Sequence, residues 1–246
     1  MTGSQQSYET QLGRFQSALT LLLADNNYSP TNALITKAAL TSFSDDLAQY
    51  NNLVTLSISQ MKDKRDERRN ISFIKNSSTP DITLEAILKN VCNYLAAEYG
   101  ESNVVYKQIK DFVKKLNSYR TTKKNKKTEE VTVVTHKAEG TFTSLAGYSR
   151  QVVQLLQSPG LVYTPSNVNI SIANIDILAQ KVTQLNSDIA LLQQAYSQAV
   201  INRKMAFTSE EGLIKRISSV KKYLASYEGG KKNAKYLQFC DALKNG

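Results

Sequence analysis

Tryptophan is missing from this chain, and there are only two cysteines, one histidine and four prolines in 246 residues. Each scarcity removes a class of protein. Cys92, Cys240 and His136 are too few and too scattered for a zinc set. With no secretory pattern in Met1–Gln6, the two thiols read as reduced, buried residues of a cytoplasmic protein rather than a disulfide framework. The lone histidine lies in a charged linker, so no Ser/His/Asp or Cys/His arrangement assembles around it. There is no Gly-rich phosphate loop. No run of 18 apolar residues occurs, so no membrane span is expected. These gaps argue against an enzyme and call for no cofactor or metal. The acid pairs fit the same view. Glu210-Glu211 follow Thr208-Ser209 as first-turn helix charges, and Asp45-Asp46 sit on a polar helix face.

What is present is written twice. Tyr28-Ser29-Pro30-Thr31-Asn32 returns as Tyr163-Thr164-Pro165-Ser166-Asn167. After each turn comes a long run of helical period. Leu40, Phe43, Leu47, Tyr50, Val54, Ile58 and Met61 mark the first; Val168, Ile172, Ile175, Leu178, Val182, Leu185, Ile189, Leu192, Tyr196 and Val200 mark the second. Steps of three and four hold these side chains on one face. Each run spans roughly 45 Å at 1.5 Å per residue, a length typical of bundles and coiled coils. Ser29 before Pro30, and Thr164 before Pro165, suit an N-cap followed by proline at the first helical position.

A shorter apolar helix precedes each turn, with Leu12, Phe15, Leu19, Leu22 and Leu23 in one and Leu145, Tyr148, Val152, Leu155 and Leu156 in the other. Asn26-Asn27 and Ser158-Pro159-Gly160 break the pattern, so each pair should fold back as an antiparallel hairpin. Basic residues recur near the ends of the long helices, Arg68-Arg69-Asn70 before Phe73 and Asn202-Arg203-Lys204 before Phe207. Further helices follow. One carries Leu84, Ile87, Leu88, Val91 and Leu95, and its counterpart carries Leu213, Ile214, Ile217, Val220 and Leu224, with Gly100 and Gly229 as helix stops. The last pair carries Val105, Ile109, Phe112 and Leu116, then Tyr236, Phe239 and Leu243.

The expected fold is all-α, an elongated helical bundle from two homologous helical-hairpin repeats. Residues 1–120 form the first repeat, 121–139 a basic linker and 140–246 the second. The pattern resembles a family of tandemly duplicated helical proteins of Bacteroidetes with no assigned activity. The resemblance spans most of the chain. It rests on Ser7-Tyr8, the two Tyr-x-Pro turns, the Arg-rich ends of the long helices and Tyr106-Lys107-Gln108 after Gly100; Tyr236-Leu237-Gln238 departs from that tail pattern. It implies the duplication and the helical fold, and no function.

The net charge of +10 is uneven: +2 on residues 1–120, +2 on 121–139 and +6 on 140–246. The second half is therefore the better candidate for an anionic partner. In the linker, Arg120, Lys123, Lys124, Lys126 and Lys127 would contact phosphates, or would serve only as a solvated spacer held open by like charges. Val131–Thr135 is β-branched and would pair as a short strand, with a partner in another subunit as one option. Nearer the end, Lys215, Arg216, Lys221, Lys222, Lys231, Lys232 and Lys235 stand among Tyr223, Tyr227 and Tyr236. The tyrosines would stack on bases, or form a core rim beneath a soluble lysine surface. Lys62–Arg69 mixes both signs and reads as local helix ion pairs.

The composition leads to a non-enzymatic scaffold that forms a homo-oligomer or binds a protein partner through helical faces. A nucleic-acid-binding protein using the linker and second repeat is the alternative. A membrane-active bundle ranks last, for want of a clearly apolar hairpin.

Overall fold

The computed structural model describes residues 3–117, 123–124, 131–132 and 141–245. It is all-helical apart from one minimal ladder. In chain order the elements are α1 Gly3–Ala24, α2 Lys37–Ser72, α3 Leu84–Tyr99, α4 Val104–Asn117, β1 Lys123–Lys124, β2 Val131–Thr132, α5 Phe142–Leu156, α6 Ile172–Thr208, α7 Leu213–Leu224 and α8 Ala234–Asn245. Single 3-10 turns precede several of these helices, among them Ala33–Ile35, Val168–Ile170 and Gly230–Lys232.

The chain divides into two compact units, Met1–Gln60 with Leu192–Gly246, and Met61–Leu191. In the first, Leu12, Phe15, Leu19 and Leu22 of α1 pack with Leu40 and Leu47 of α2, Phe207 of α6, Leu213, Val220 and Leu224 of α7 and Phe239 of α8. In the second, Leu84, Ile87, Leu88, Val91 and Leu95 of α3 pack with Ile109 and Leu116 of α4, Leu145, Val152 and Leu156 of α5, and Ile175 and Val182 of α6. The first core thus joins helices from both ends of the sequence, and the second joins helices from its middle.

Along α2 the apolar period is visible as burial: Leu40, Leu47, Val54 and Met61, seven residues apart, are all buried. Three residues expected on apolar faces are instead exposed. Val168 precedes α6 and sits on a 3-10 turn, while Leu23 and Ile214 fall on the outer faces of α1 and α7.

The long helices do not start at the prolines. Residues 28–30 are outside any helix, and α2 begins only at Lys37. Asn32 accepts from the Leu34 amide and caps the 3-10 turn, and the Thr36 hydroxyl accepts from the Ala39 amide at the true helix start. Asn167 and Ser171 do the same ahead of α6. The tyrosine before each proline holds the chain in this course: Tyr28 donates to the Ile35 carbonyl at 2.7 Å, and Tyr163 to the Ile170 carbonyl at 2.7 Å.

Other helix ends differ from expectation too. Gly100 does stop α3, at φ 76°. Gly229, at φ 85°, lies beyond the end of α7, whose cap is Ala225. Gly212 precedes α7, so Glu210-Glu211 lie outside its first turn; a Cβ on Gly212 would come within 2.9 Å of the Ala206 carbonyl. Arg203 and Lys204 fall before the last turn of α6. The linker strand finds its partner nearby rather than in another subunit. Val131 pairs with Lys124 and Thr132 with Lys123, antiparallel. Residues 133–135 of that expected strand lie outside the described residues.

Burial raises the phenol pKa of Tyr28 and of Tyr163 well above the ordinary value, and pushes Tyr227 up to about 12. A folded state that holds these protons more tightly than the unfolded chain loses stability as pH rises past the ordinary tyrosine value of about 10. We expect helical circular dichroism to collapse cooperatively between about pH 10 and 12, together with the rise in phenolate absorbance. Phenolate absorbance that titrates at the ordinary value while the helices persist would contradict these environments.

Candidate functional site

Of the ten lysines and arginines singled out for anion contact, five gather on one connection. Lys221 and Lys222 close α7, Lys231 and Lys232 sit in the 3-10 turn, and Lys235 opens α8. Local hydrogen bonds build this connection. The Gly230 amide donates to the Tyr227 carbonyl, the Asn233 side chain donates to the Glu228 carbonyl at 2.8 Å, and Asn233 accepts from the Lys235 amide at 2.8 Å. Positive φ at Gly229 and Gly230 allows the reversal. Lys222, Lys231, Lys232 and Lys235 are exposed, and none of the five forms an ion pair among the described residues. The result is a hydrogen-bonded connection carrying five cations without an ion-pair partner among the described residues.

The neighbouring cations and rings are otherwise engaged. Lys215 pairs with Glu210 at 3.1 Å. Arg216 donates to the Leu34 carbonyl at 2.6 Å and to the Glu211 carbonyl at 2.8 Å, and lies 4.1 Å from the centre of the Phe43 ring. It is a structural strut. Tyr223 meets Tyr28 edge-on at 5.2 Å and Tyr227 at 5.7 Å, and its hydroxyl accepts from the Ser29 amide. Tyr236 packs against the same core. These rings form a core rim, so base stacking on them is not supported. In the linker, the Lys123 and Lys124 backbones form β1. Arg120, Lys126 and Lys127 lie outside the described residues, as does His136.

The mixed-charge segment Lys62–Arg69 does more than pair with itself. Lys181 meets Glu67 at 2.9 Å, Lys64 lies 3.6 Å from Asp188, and Arg68 donates to Asn186 at 2.6 Å. The Lys181 hydrogen bond holds the Glu67 carboxyl below its usual range. Arg68 also lies 3.9 Å from the centre of the Phe142 ring, and Phe142 meets Phe73 at 5.2 Å. In the other unit Arg203, only 3% exposed, lies 4.5 Å from the Tyr8 ring centre, and Tyr8 meets Phe207 at 4.7 Å. These arginines stack on rings inside the fold rather than facing an anion.

Cys92 is buried and Cys240 half-buried, and both are free. Burial pushes the Cys92 thiol up to about 11, which removes it as a nucleophile near neutral pH. No group of three or more metal-ligating side chains occurs among the described residues, and none of the described helices is long and apolar enough to cross a membrane.

Sequence reasoning missed one feature. A groove of about 410 Å³ opens between α1, α7 and α8, lined by Arg14 and Lys221 together with Leu213, Ile217 and Leu243. Arg14 stands some two hundred residues from Lys221 in the chain, so nothing local advertised the pairing. No family model matches this chain, and no curated protein or solved structure matches it.

Proposed function

We propose that the chain is a non-enzymatic scaffold of two homologous hairpin repeats that self-associates through the uncharged middle of its long helices. The observation that carries this reading is a gap in the charge pattern. Between Asp46 and Lys62, α2 bears no charged residue, and α6 bears none between Asp188 and Arg203. Leu53 and Leu56 of α2 are nevertheless 42% and 53% exposed, and Ile201 of α6 is 51% exposed. Two copies of a chain with net charge +10 repel over most of their surface. An uncharged, leucine-bearing stretch is where they meet at least electrostatic cost. The repeat part of the proposal draws support from the paired geometries: a tyrosine bonded to a carbonyl seven residues on, and an arginine stacked on a ring that meets a phenylalanine, each found in both units.

Substituting both Leu53→Lys and Leu56→Lys places cations on exposed positions and leaves the cores intact. Light scattering after size exclusion at high salt is expected to give an oligomer for the parent chain and a monomer for the variant, with equal helical circular dichroism. A monomeric parent chain at its solubility limit would end the proposal.

The second reading, binding of a nucleic acid, is favoured by the five unpaired lysines between α7 and α8. It calls for association at low salt that disappears as salt rises. Binding that withstands salt, or no binding at low salt, would remove it.

A further inference from the structure

We infer that the groove between α1, α7 and α8 receives an acidic amphipathic helix of a partner protein. The lining carries two cations and no acid. Arg14 and Lys221 each lack a hydrogen-bond or ion-pair partner among the described residues, and the Arg14 Nε is buried with no acceptor. The buried Nε is closed to a ligand, but the terminal nitrogens of the Arg14 guanidinium and the Lys221 ammonium have no partner among the described residues, and a carboxylate is the acceptor that pairs most strongly with either. The rest of the lining is largely apolar: Leu213 is 1% exposed, Ile217 and Leu243 are half-buried, and Ile214 is 55% exposed.

The pattern along the groove indicates what fits. Ile214, Ile217, Ser218 and Lys221 of α7 line it at spacings of three and four residues. A partner helix with leucine and glutamate at the same spacings would seat a leucine on the apolar lining and reach both cations with its carboxylates. Leu213, at 1% exposure, lies deeper than Arg14 and Lys221, so a flat anionic bilayer would meet the two cations without reaching it. A helix with protruding side chains reaches it. This partner is distinct from a second copy of the chain, and the groove involves neither Leu53 nor Leu56. The inference therefore stands or falls separately from self-association.

The test is fluorescence anisotropy with the full chain and a labelled helical peptide that carries leucine and glutamate at three- and four-residue spacing. The expected result is saturable binding, at least tenfold tighter than for the same peptide with glutamine in place of glutamate. The double substitution Arg14→Gln with Lys221→Gln should weaken binding at least tenfold. Ser218→Trp, which fills the groove and keeps its charge, should weaken it comparably, with helical circular dichroism unchanged in both variants. A third variant, Lys231→Gln with Lys232→Gln and Lys235→Gln, lowers the net charge beside the groove and should leave binding within about twofold. The inference is overturned by absence of saturable binding, by equal binding of the glutamine peptide, or by an equal loss in the third variant. Groove-dependent sedimentation with phosphatidylglycerol vesicles, in the absence of peptide binding, would overturn it in favour of a membrane surface.

Discussion

Residues 1–120 expressed alone are expected not to fold, and to fold when mixed with residues 140–246. The first half supplies Leu12, Phe15, Leu19, Leu22, Leu40 and Leu47 to one core, whose remaining walls are Phe207, Leu213, Val220, Leu224 and Phe239. It supplies Leu84 to Leu95 and Ile109 to the other core, which is completed by Leu145, Val152, Leu156, Ile175 and Val182. Cutting the chain between the halves therefore opens both cores. A fully buried aliphatic or aromatic side chain is worth about 1.5–3 kcal/mol, so five missing partners remove roughly 10 kcal/mol from each core. That equals the net stability of an ordinary domain, about 5–15 kcal/mol. The expected measurement is a flat, uncooperative thermal melt for each fragment and a cooperative melt for the equimolar mixture. A monomeric fragment that melts cooperatively by itself would mean that its core is complete without the other half. In that case the joining of sequence-remote helices described above would be wrong.

Why the halves interlock was not legible from the sequence, although nearly every helix was. Period is a local property. Leu40, Leu47, Val54 and Met61 declare a buried stripe without reference to anything else, and burial follows. The partner of a stripe is not local. Leu12 and Phe239 lie at opposite ends of the chain and share one core. The same limit explains the misplaced helix starts. Proline fixes φ near −65° both at the first helical position and in an extended segment, so Pro30 and Pro165 fit either. Tyr28 decides the outcome by bonding the Ile35 carbonyl while its ring meets Tyr223 from the far end of the chain. Tyrosines beside lysines were open to reading as a stacking platform for the same reason: the ring that covers Tyr223 is remote in sequence. The lysines themselves were legible because exposure requires no partner. The groove was not, since Arg14 acquires meaning only when α7 is set beside α1.

Phe207→Ala is expected to cost about 3–5 kcal/mol, the range for truncating a fully buried phenylalanine. Phe207 is 1% exposed and among the largest fully buried side chains of its core. Its ring meets Tyr8 at an interplanar angle of 64°, an edge-on contact worth about 0.5–1.5 kcal/mol beyond its buried area. Tyr8 in turn lies against the guanidinium of Arg203, whose Nε is buried without an acceptor. Removing Phe207 leaves a cavity and frees Tyr8 to move. An arginine that stays buried only because a ring covers its charge then loses its cover. The urea midpoint is expected to fall by about 1–2 M, given that the slope rises with chain length and is about 3 kcal/mol per molar at the upper end of the range for small proteins. Phe73 provides the comparison. It meets Phe142 at 5.2 Å, and Phe142 lies against Arg68, whose Nε is likewise buried without an acceptor, but Phe73 is only half-buried and a terminal nitrogen of Arg68 donates to Asn186. Phe73→Ala should therefore cost about half as much, with the difference set by burial rather than by ring geometry. Phe207→Leu, which keeps most of the volume and loses the edge-on contact, should cost less than either, at about 1–2 kcal/mol. Equal midpoints for Phe207→Ala and Phe73→Ala would show that Phe207 is not the anchor that its burial indicates.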